Sequence, residues 1–288
     1  MSDANPFSLS GKVAVIIGGY GVLGGGLADG LAAQGARTAV LGRRADAVDD
    51  KVAKIRAAGG DALPLVADAL NNADPAEVGA ALVVSEGASF CTGGDVKAFA
   101  AAEDRGAYVG DLAEAFHGMV TAFATCAVPV VAAVPGWAAG AGMSVVCAVD
   151  IAVAGRSTRL RPAYPGIGFS PDGGMSWTLP RLVGSGNARR ILLTDEVLDA
   201  ETAAALGIVG MVVDDDAVLA EAERLAARLA DGPTVAFGRI KALLAASLDC
   251  TLSEQLVAEE RAIAASAAGP EGAEGLSAFV EKRPPKFR

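Results

Sequence analysis

The sequence predicts an α/β protein with a helical C-terminal part, and three observations predict it. Residues 12–68 alternate short apolar runs with amphipathic stretches, at the spacing of a parallel βαβαβ unit. Short strands, glycine-rich loops and helices then continue to about residue 214. Beyond that point only the helical period remains. The expected organisation is a βαβαβ segment over 1–70, a core over 71–214 and a helical segment over 215–288.

Each element has a local cause. The β-branched run over 12–17 stops at Gly18-Gly19, as a buried strand does. Helical spacing over 22–34 leads to a second strand at 38–41. A second amphipathic helix over 47–58 ends at Gly59-Gly60, and a third strand follows at 62–66. The cluster Asn71-Asn72-Ala73-Asp74-Pro75 reads as a turn. After it come a strand at 80–84, a glycine loop at 89–95 and a helix over 108–124. A strand at 128–134 runs through Pro135-Gly136 into small residues that open a helix, and another strand is expected at 150–154. Residues 161–174 form a loop rich in glycine and proline. Helices are expected over 199–206, 217–229, 234–246 and 251–267, the last opened by a Thr251/Glu254 capping box.

Composition narrows the function classes. With 288 residues and 52% hydrophobic side chains, the chain can bury a sizeable core. A formal charge of −10 argues against nucleic acid, whose phosphates are bound by dense lysine and arginine. The single histidine, His117, excludes a His–His metal site, and no metal is expected; on its expected helix it reads as a surface or satisfied residue. Cys91, Cys126, Cys147 and Cys250 are scattered, as in a reducing compartment. Residues 118–149 carry no charge, but Pro129, Pro135, Gly136, Gly140 and Gly142 interrupt them, so no membrane span is expected. The first residues lack the basic and apolar stretches of a signal peptide, and a cytoplasmic protein is expected.

Two constellations carry chemistry. In the first, Gly18, Gly21 and Gly24 follow a strand and open a helix, where glycines bring backbone N–H groups close to a pyrophosphate. The second strand ends in Gly42-Arg43-Arg44 without an acidic residue, which favours a 2′-phosphate and hence NADP. These residues and Asp68 resemble the N-terminal quarter of short-chain dehydrogenases, over about 8–70. The resemblance implies a Rossmann-like piece with Gly18, Gly21, Gly24 and Arg43 at the cofactor. That family's Tyr-x-x-x-Lys pair has no counterpart, since no tyrosine here has a lysine four residues on.

The second constellation is longer. Phe90-Cys-Thr-Gly-Gly94-Asp95-Val-Lys97 follows the strand at 80–84, and Pro135-Gly-Trp137-Ala-Ala-Gly140-Ala141-Gly142 follows the strand at 128–134. Gly168-Phe-Ser-Pro-Asp172-Gly-Gly, Leu179-Pro-Arg-Leu-Val-Gly184 and the tail Ala278-Phe-Val-Glu-Lys282-Arg-Pro come after them in order. Together these motifs resemble the crotonase superfamily of enoyl-CoA hydratases and isomerases from about residue 76 onward. The resemblance implies a crotonase-like ββα spiral, a C-terminal helical trimerisation segment, an acyl-CoA substrate and a homo-oligomer, trimer or hexamer. It requires no cofactor.

Enolate formation beside a thioester places negative charge on the carbonyl oxygen. Two preorganised backbone N–H groups stabilise it by about 3 kcal/mol each, and close approach favours residues with small side chains. Carried over by position, the donors are Gly94 and Ala141. The hydratases' two glutamates correspond to Ser144 and Tyr164, whereas Asp172 stands where isomerases keep a carboxylate. Asp172 is therefore expected to move the proton, from a pocket of low polarity that raises its pKa. Phe90, Asp95, Lys97, Trp137, Gly140 and Lys282 are expected to line the substrate.

Three readings remain open on the sequence. The chain is an acyl-CoA isomerase or hydratase, an NADP-dependent oxidoreductase or dinucleotide-binding module, or a non-catalytic fused or engineered scaffold joined near residues 62–76.

Overall fold

A computed structural model of the chain describes residues 13–17, 29, 32–33, 37–42, 45–66, 78–85 and 87–287. The chain divides into two compact units, 1–72 and 73–288.

In the first unit β1 (Val13–Ile17), β2 (Arg37–Gly42) and β3 (Asp61–Val66) form a parallel sheet in that order, with Val13 opposite Arg37 and Arg37 opposite Asp61. Helix α1 (Ala45–Ala57) connects β2 to β3 and buries Val48, Val52 and Ile55, one stripe of its surface. It ends where Gly59 takes a left-handed φ of 88° and Gly60 donates to the Ile55 carbonyl. Most of the helix expected over 22–34 lies outside the described residues.

The second unit is built on β4 (Ala81–Val83), α2 (Val96–Ala101), α3 (Arg105–Thr125), β5 (Val130–Val134), β6 (Trp137–Ala139), α4 (Ala141–Ala148), β7 (Ile151–Gly155) and β8 (Arg159–Arg161). A 3₁₀ turn at Pro165–Ile167 leads to α5 (Met175–Thr194), β9 (Leu198–Asp199), α6 (Ala200–Ala205), β10 (Met211–Val213) and α7 (Val218–Ala230). Strands β10, β7, β5 and β4 make a parallel sheet in that order. Every residue of β5 is buried, which explains its unbroken Val/Ala run. Helix α7 lays Val218, Ala222, Leu225 and Ala226 against Val131, Ala133 and Val153 of that sheet.

At Pro135-Gly136 the chain leaves this sheet for a second one, β6-β8-β9. Gly136 adopts φ 56°, and a Cβ there would lie 2.0 Å from the Ala88 carbonyl oxygen, so only glycine fits the corner. The sequence reads this stretch as turn and small residues; β6 is nevertheless a strand because β8 pairs with it in parallel, Trp137 opposite Arg159, with the Cys91 backbone bridging to Ala138. Helix α5 is also absent from the sequence reading, since Pro180 and Gly184 break its pattern. Two helical pieces meet there at Gly184, whose φ of 78° and ψ of 153° are non-helical.

The C-terminal segment holds α8 (Thr234–Ala246), α9 (Leu252–Ala268) and α10 (Pro270–Glu281). Thr251 and Glu254 form the expected capping box of α9. Lys241 of α8 ties this segment to the core: its ammonium donates to the carbonyls of Phe123 and Val128 and to Asp150 Oδ2, at 3.2, 2.9 and 2.6 Å. No described helix is long and apolar enough to cross a membrane.

Candidate active site

The two glycine loops meet. Phe90 N donates to Pro135 O at 2.8 Å, Cys91 N to Trp137 O at 3.1 Å and Ala139 N to Cys91 O at 2.8 Å. The first loop is thereby laid along β6 like an added strand. Beyond it Gly93 turns at φ 103°, and a Cβ there would lie 4.0 Å from Ala141 N. A Cβ on Gly142 would lie 2.1 Å from the Cys91 carbonyl oxygen, so the loops touch backbone to backbone at that point. Gly140 adopts φ 55° and ψ −123°, open to glycine alone, and sets Ala141 as the first residue of α4. Among the described residues neither the Gly94 nor the Ala141 N–H donates to a protein acceptor. Ala141 also stands at the positive end of α4. Gly94 and Ala141 thus lie on adjoining loops.

Asp172 lies on an Asp-Gly-Gly turn whose glycines, at φ 61° and 74°, are both left-handed. A Cβ on Gly173 would strike the Phe116 ring at 2.1 Å, and one on Gly174 would touch Val120 at 3.5 Å. The missing side chains let α3 lie directly on the turn, and His117 Nε2 hydrogen-bonds to Asp172 Oδ1. Asp172 Oδ2 has no hydrogen bond to another described residue.

The backbone of Asp172 is fixed as well. The buried Ser144 hydroxyl donates to the Asp172 carbonyl at 2.8 Å, and the Tyr164 hydroxyl lies 3.1 Å from Ser144 Oγ and 3.3 Å from the same carbonyl. Burial pushes the Tyr164 phenol up, so the ring hydroxyl remains a neutral donor. The start of the loop is held by Asp195, which accepts from Arg161 Nε and Nη2 and from Ala163 N.

His117 is at the surface and satisfied, as expected: its side chain is 54% exposed and bonds to Asp172. Its partner lies 55 positions away, so helical spacing could not reveal the pair. One expectation needs correction: Asp172 does not sit in a pocket of low polarity, because its side chain is 34% exposed and paired with an imidazole. What made the pair findable was a lone histidine on the helix that precedes the second glycine loop.

The remaining expected residues are placed as follows. Phe90 is buried beside the first loop, Gly140 forms the bend of the second, and Trp137 is 41% exposed at the start of β6. Asp95 caps α2 by accepting from Lys97 N and Ala98 N, while the Lys97 side chain stands exposed on that helix. Lys282 is the left-handed C-cap of α10, outside this hydrogen-bonded cluster, and its neighbour Arg283 is engaged by Glu274 and Glu281. Cys147 offers no nucleophile, since burial pushes its thiol up to about 12. Gly18, Gly21, Gly24 and Arg43 lie outside the described residues.

The second unit thus brings the two glycine loops into backbone contact and pairs Asp172 with His117. The chain belongs to the enoyl-CoA hydratase/isomerase family, whose match covers residues 63–288. A probable enoyl-CoA hydratase of Rhodobacter capsulatus is 36% identical over 233 residues, covering 78% of this chain and 91% of that protein. The 1,2-epoxyphenylacetyl-CoA isomerase of Escherichia coli is 35% identical, covering 72% and 79% of the two chains. Among solved structures, an enoyl-CoA hydratase from a Polaromonas species superposes with a TM-score of 0.72 at 34% identity, over 76% of this chain and 85% of that one. An enoyl-CoA hydratase/isomerase from Mycobacterium abscessus has the same TM-score at 30% identity, over 87% and 94%.

The second unit therefore carries the α/β crotonase fold with its C-terminal helices. The family match starts inside β3, ahead of the expected residue 76. These matches lend no support to NADP binding or to a joint between two protein families near residues 62–76.

Proposed function

We propose that the chain is an enoyl-CoA isomerase. The carrying observation is Asp172, a carboxylate with one oxygen bonded to no other described residue, beside two neutral hydroxyls, Ser144 and Tyr164. The thioester oxygen accepts from the N–H groups of Gly94 and Ala141. Asp172 Oδ2 removes a proton from C2 of a 3-enoyl-CoA, giving a dienolate whose charge the two donors hold. The same carboxyl then returns the proton at C4, and the double bond comes to rest between C2 and C3. His117, on Oδ1, holds the carboxylate in orientation through the transfer.

Hydration would need a second group to activate water. Ser144 and Tyr164 are already committed to the Asp172 backbone, and burial disfavours the phenolate of Tyr164. The named relatives include both a hydratase and an isomerase, so the choice between the two rests on the site residues. With a 3-enoyl-CoA, the purified protein is expected to raise the absorbance of the conjugated product. Asp172→Asn is expected to lower the rate by about 10²–10⁴-fold, the usual contribution of a positioned acid–base group. Undiminished turnover by that variant would overturn the assignment.

A homo-oligomer, trimer or hexamer, belongs to the same proposal. It is supported by the apolar side chains that one chain leaves open on its C-terminal helices: Leu244, Leu252, Ile263 and Phe279 are 67, 74, 71 and 84% exposed. Sedimentation as a monomer at micromolar concentration would refute it.

A further inference from the structure

We propose that the acyl subsite selects an aryl group, with Phe99, Tyr108 and Phe169 as the selecting residues; this rests on the acyl-CoA reading above. The chain is sparing with aromatic residues, at 5% of the sequence. Several gather here on three separate elements. Phe99 lies on α2 with its ring against Gly94, where a Cβ would come within 2.4 Å of the ring. Phe169 lies on the loop that ends in Asp172, and its ring is nearly parallel to that of Phe99, at 16° with centroids 6.4 Å apart. Tyr108, in the first turn of α3, meets Phe99 edge to face at 6.2 Å and 60°.

The cluster is continuous with the reacting centre at both ends. Phe99 touches the residue that supplies one thioester donor. From Tyr108, α3 carries Leu112, Phe116 and Val120 at successive intervals of four, on one face of the helix. Phe116 and Val120 reach the Asp172 turn, at Gly173 and Gly174. Eight residues of helix separate Tyr108 from Phe116, a wall of about 12 Å.

Core packing does not account for the cluster. Tyr108 and Phe169 remain 45% and 43% exposed, whereas the packing aromatics Phe90 and Phe123 are 8% and 5% exposed. Open ring faces and edges gain more from another aromatic ring than from a saturated chain. Offset or edge-on pairs add to the burial of area, which the two kinds of acyl group share. The chemistry that fits is therefore an arylacetyl or arylacryloyl thioester.

The test compares phenylacetyl-CoA, hexanoyl-CoA and free CoA by titration calorimetry on the full-length protein. Phenylacetyl-CoA is expected to bind about two- to tenfold more tightly than hexanoyl-CoA, the range that aromatic pairing confers. Phe169→Leu and, separately, Tyr108→Leu are each expected to bring that ratio towards one. Both keep an apolar side chain at a partly exposed position, and unchanged melting temperatures show that each variant folds. Equal affinity for the two esters in the unaltered protein, or a ratio untouched by both substitutions, overturns the aryl subsite and leaves the acyl-CoA reading standing. Failure of both esters to bind better than free CoA overturns the two together.

Discussion

Gly142→Ala offers the sharpest probe of the loop junction. The added methyl would lie 2.1 Å from the Cys91 carbonyl oxygen and 2.9 Å from both the Cys91 carbonyl carbon and its Cβ. An ordinary contact needs about 3.4 Å or more, so the two loops must part by about 1 Å. Neither can yield alone: Cys91 is bonded to β6 through its N–H and its carbonyl, and Gly142 belongs to the buried helix α4. Overpacking of this kind costs about 1–3 kcal/mol of stability. The larger effect falls on the chemistry, because Ala141 N moves away from Gly94 N, and a misplacement of about 1 Å costs on the order of 10²-fold in rate. The assay is kcat for 3-enoyl-CoA conversion, beside a urea titration. Gly110→Ala on α3 serves as the contrast, since a methyl there meets nothing within 4 Å. It is expected to stabilise the protein by up to about 1 kcal/mol, the helix propensity of alanine over glycine. A Gly142→Ala protein with full kcat would refute the idea that the contact between the loops sets the donor geometry.

Lys241→Met removes the ammonium that joins α8 to Phe123, Val128 and Asp150, and is expected to cost about 2–3 kcal/mol because Asp150 and two carbonyls lose a donor in a partly buried place; a urea midpoint within error of the parent would refute it. Tyr164→Phe leaves Ser144 bonded to the Asp172 carbonyl and deletes one weak donor, so a loss of about 1 kcal/mol in thermal stability is expected. Glu274, held down to about 2 by Arg283 and by the Lys286 N–H, gives the tail an acid limit. A depressed carboxylate contributes stability above its ordinary value of about 4.5 and loses it as pH falls through about 2. Hydrogen exchange at the Lys286 amide should quicken across that window, and a flat profile would contradict the docking.

The two glycine loops were legible in the sequence because their packing dictates residue type: where backbone must approach backbone or turn through a left-handed φ, glycine is required, and Gly93, Gly140 and Gly142 announce it. The helices α7 and α9 were legible for a similar reason, α7 through its apolar stripe and α9 through its capping box, each within its own span. What was not legible arises between segments. Strand β6 exists because β8 and the Cys91 backbone, both distant in sequence, pair with it, so no local preference announces it. Helix α5 carries Pro180 and Gly184, which locally argue against a helix, and its buried Met175, Leu179, Val183, Ala188 and Ile191 override them. The His117–Asp172 contact depends on α3 crossing a turn that two left-handed glycines have stripped of side chains.

The Lys241 clamp has a consequence for how the molecule opens. Phe123 O, one of its acceptors, lies in the last turn of α3, the helix that delivers His117 to Asp172. The C-terminal arm and α3 are thereby coupled, and their amides are expected to exchange with solvent as one unit. Proteolytic trimming within α8 is expected to loosen the His117–Asp172 contact before any strand of the central sheet gives way.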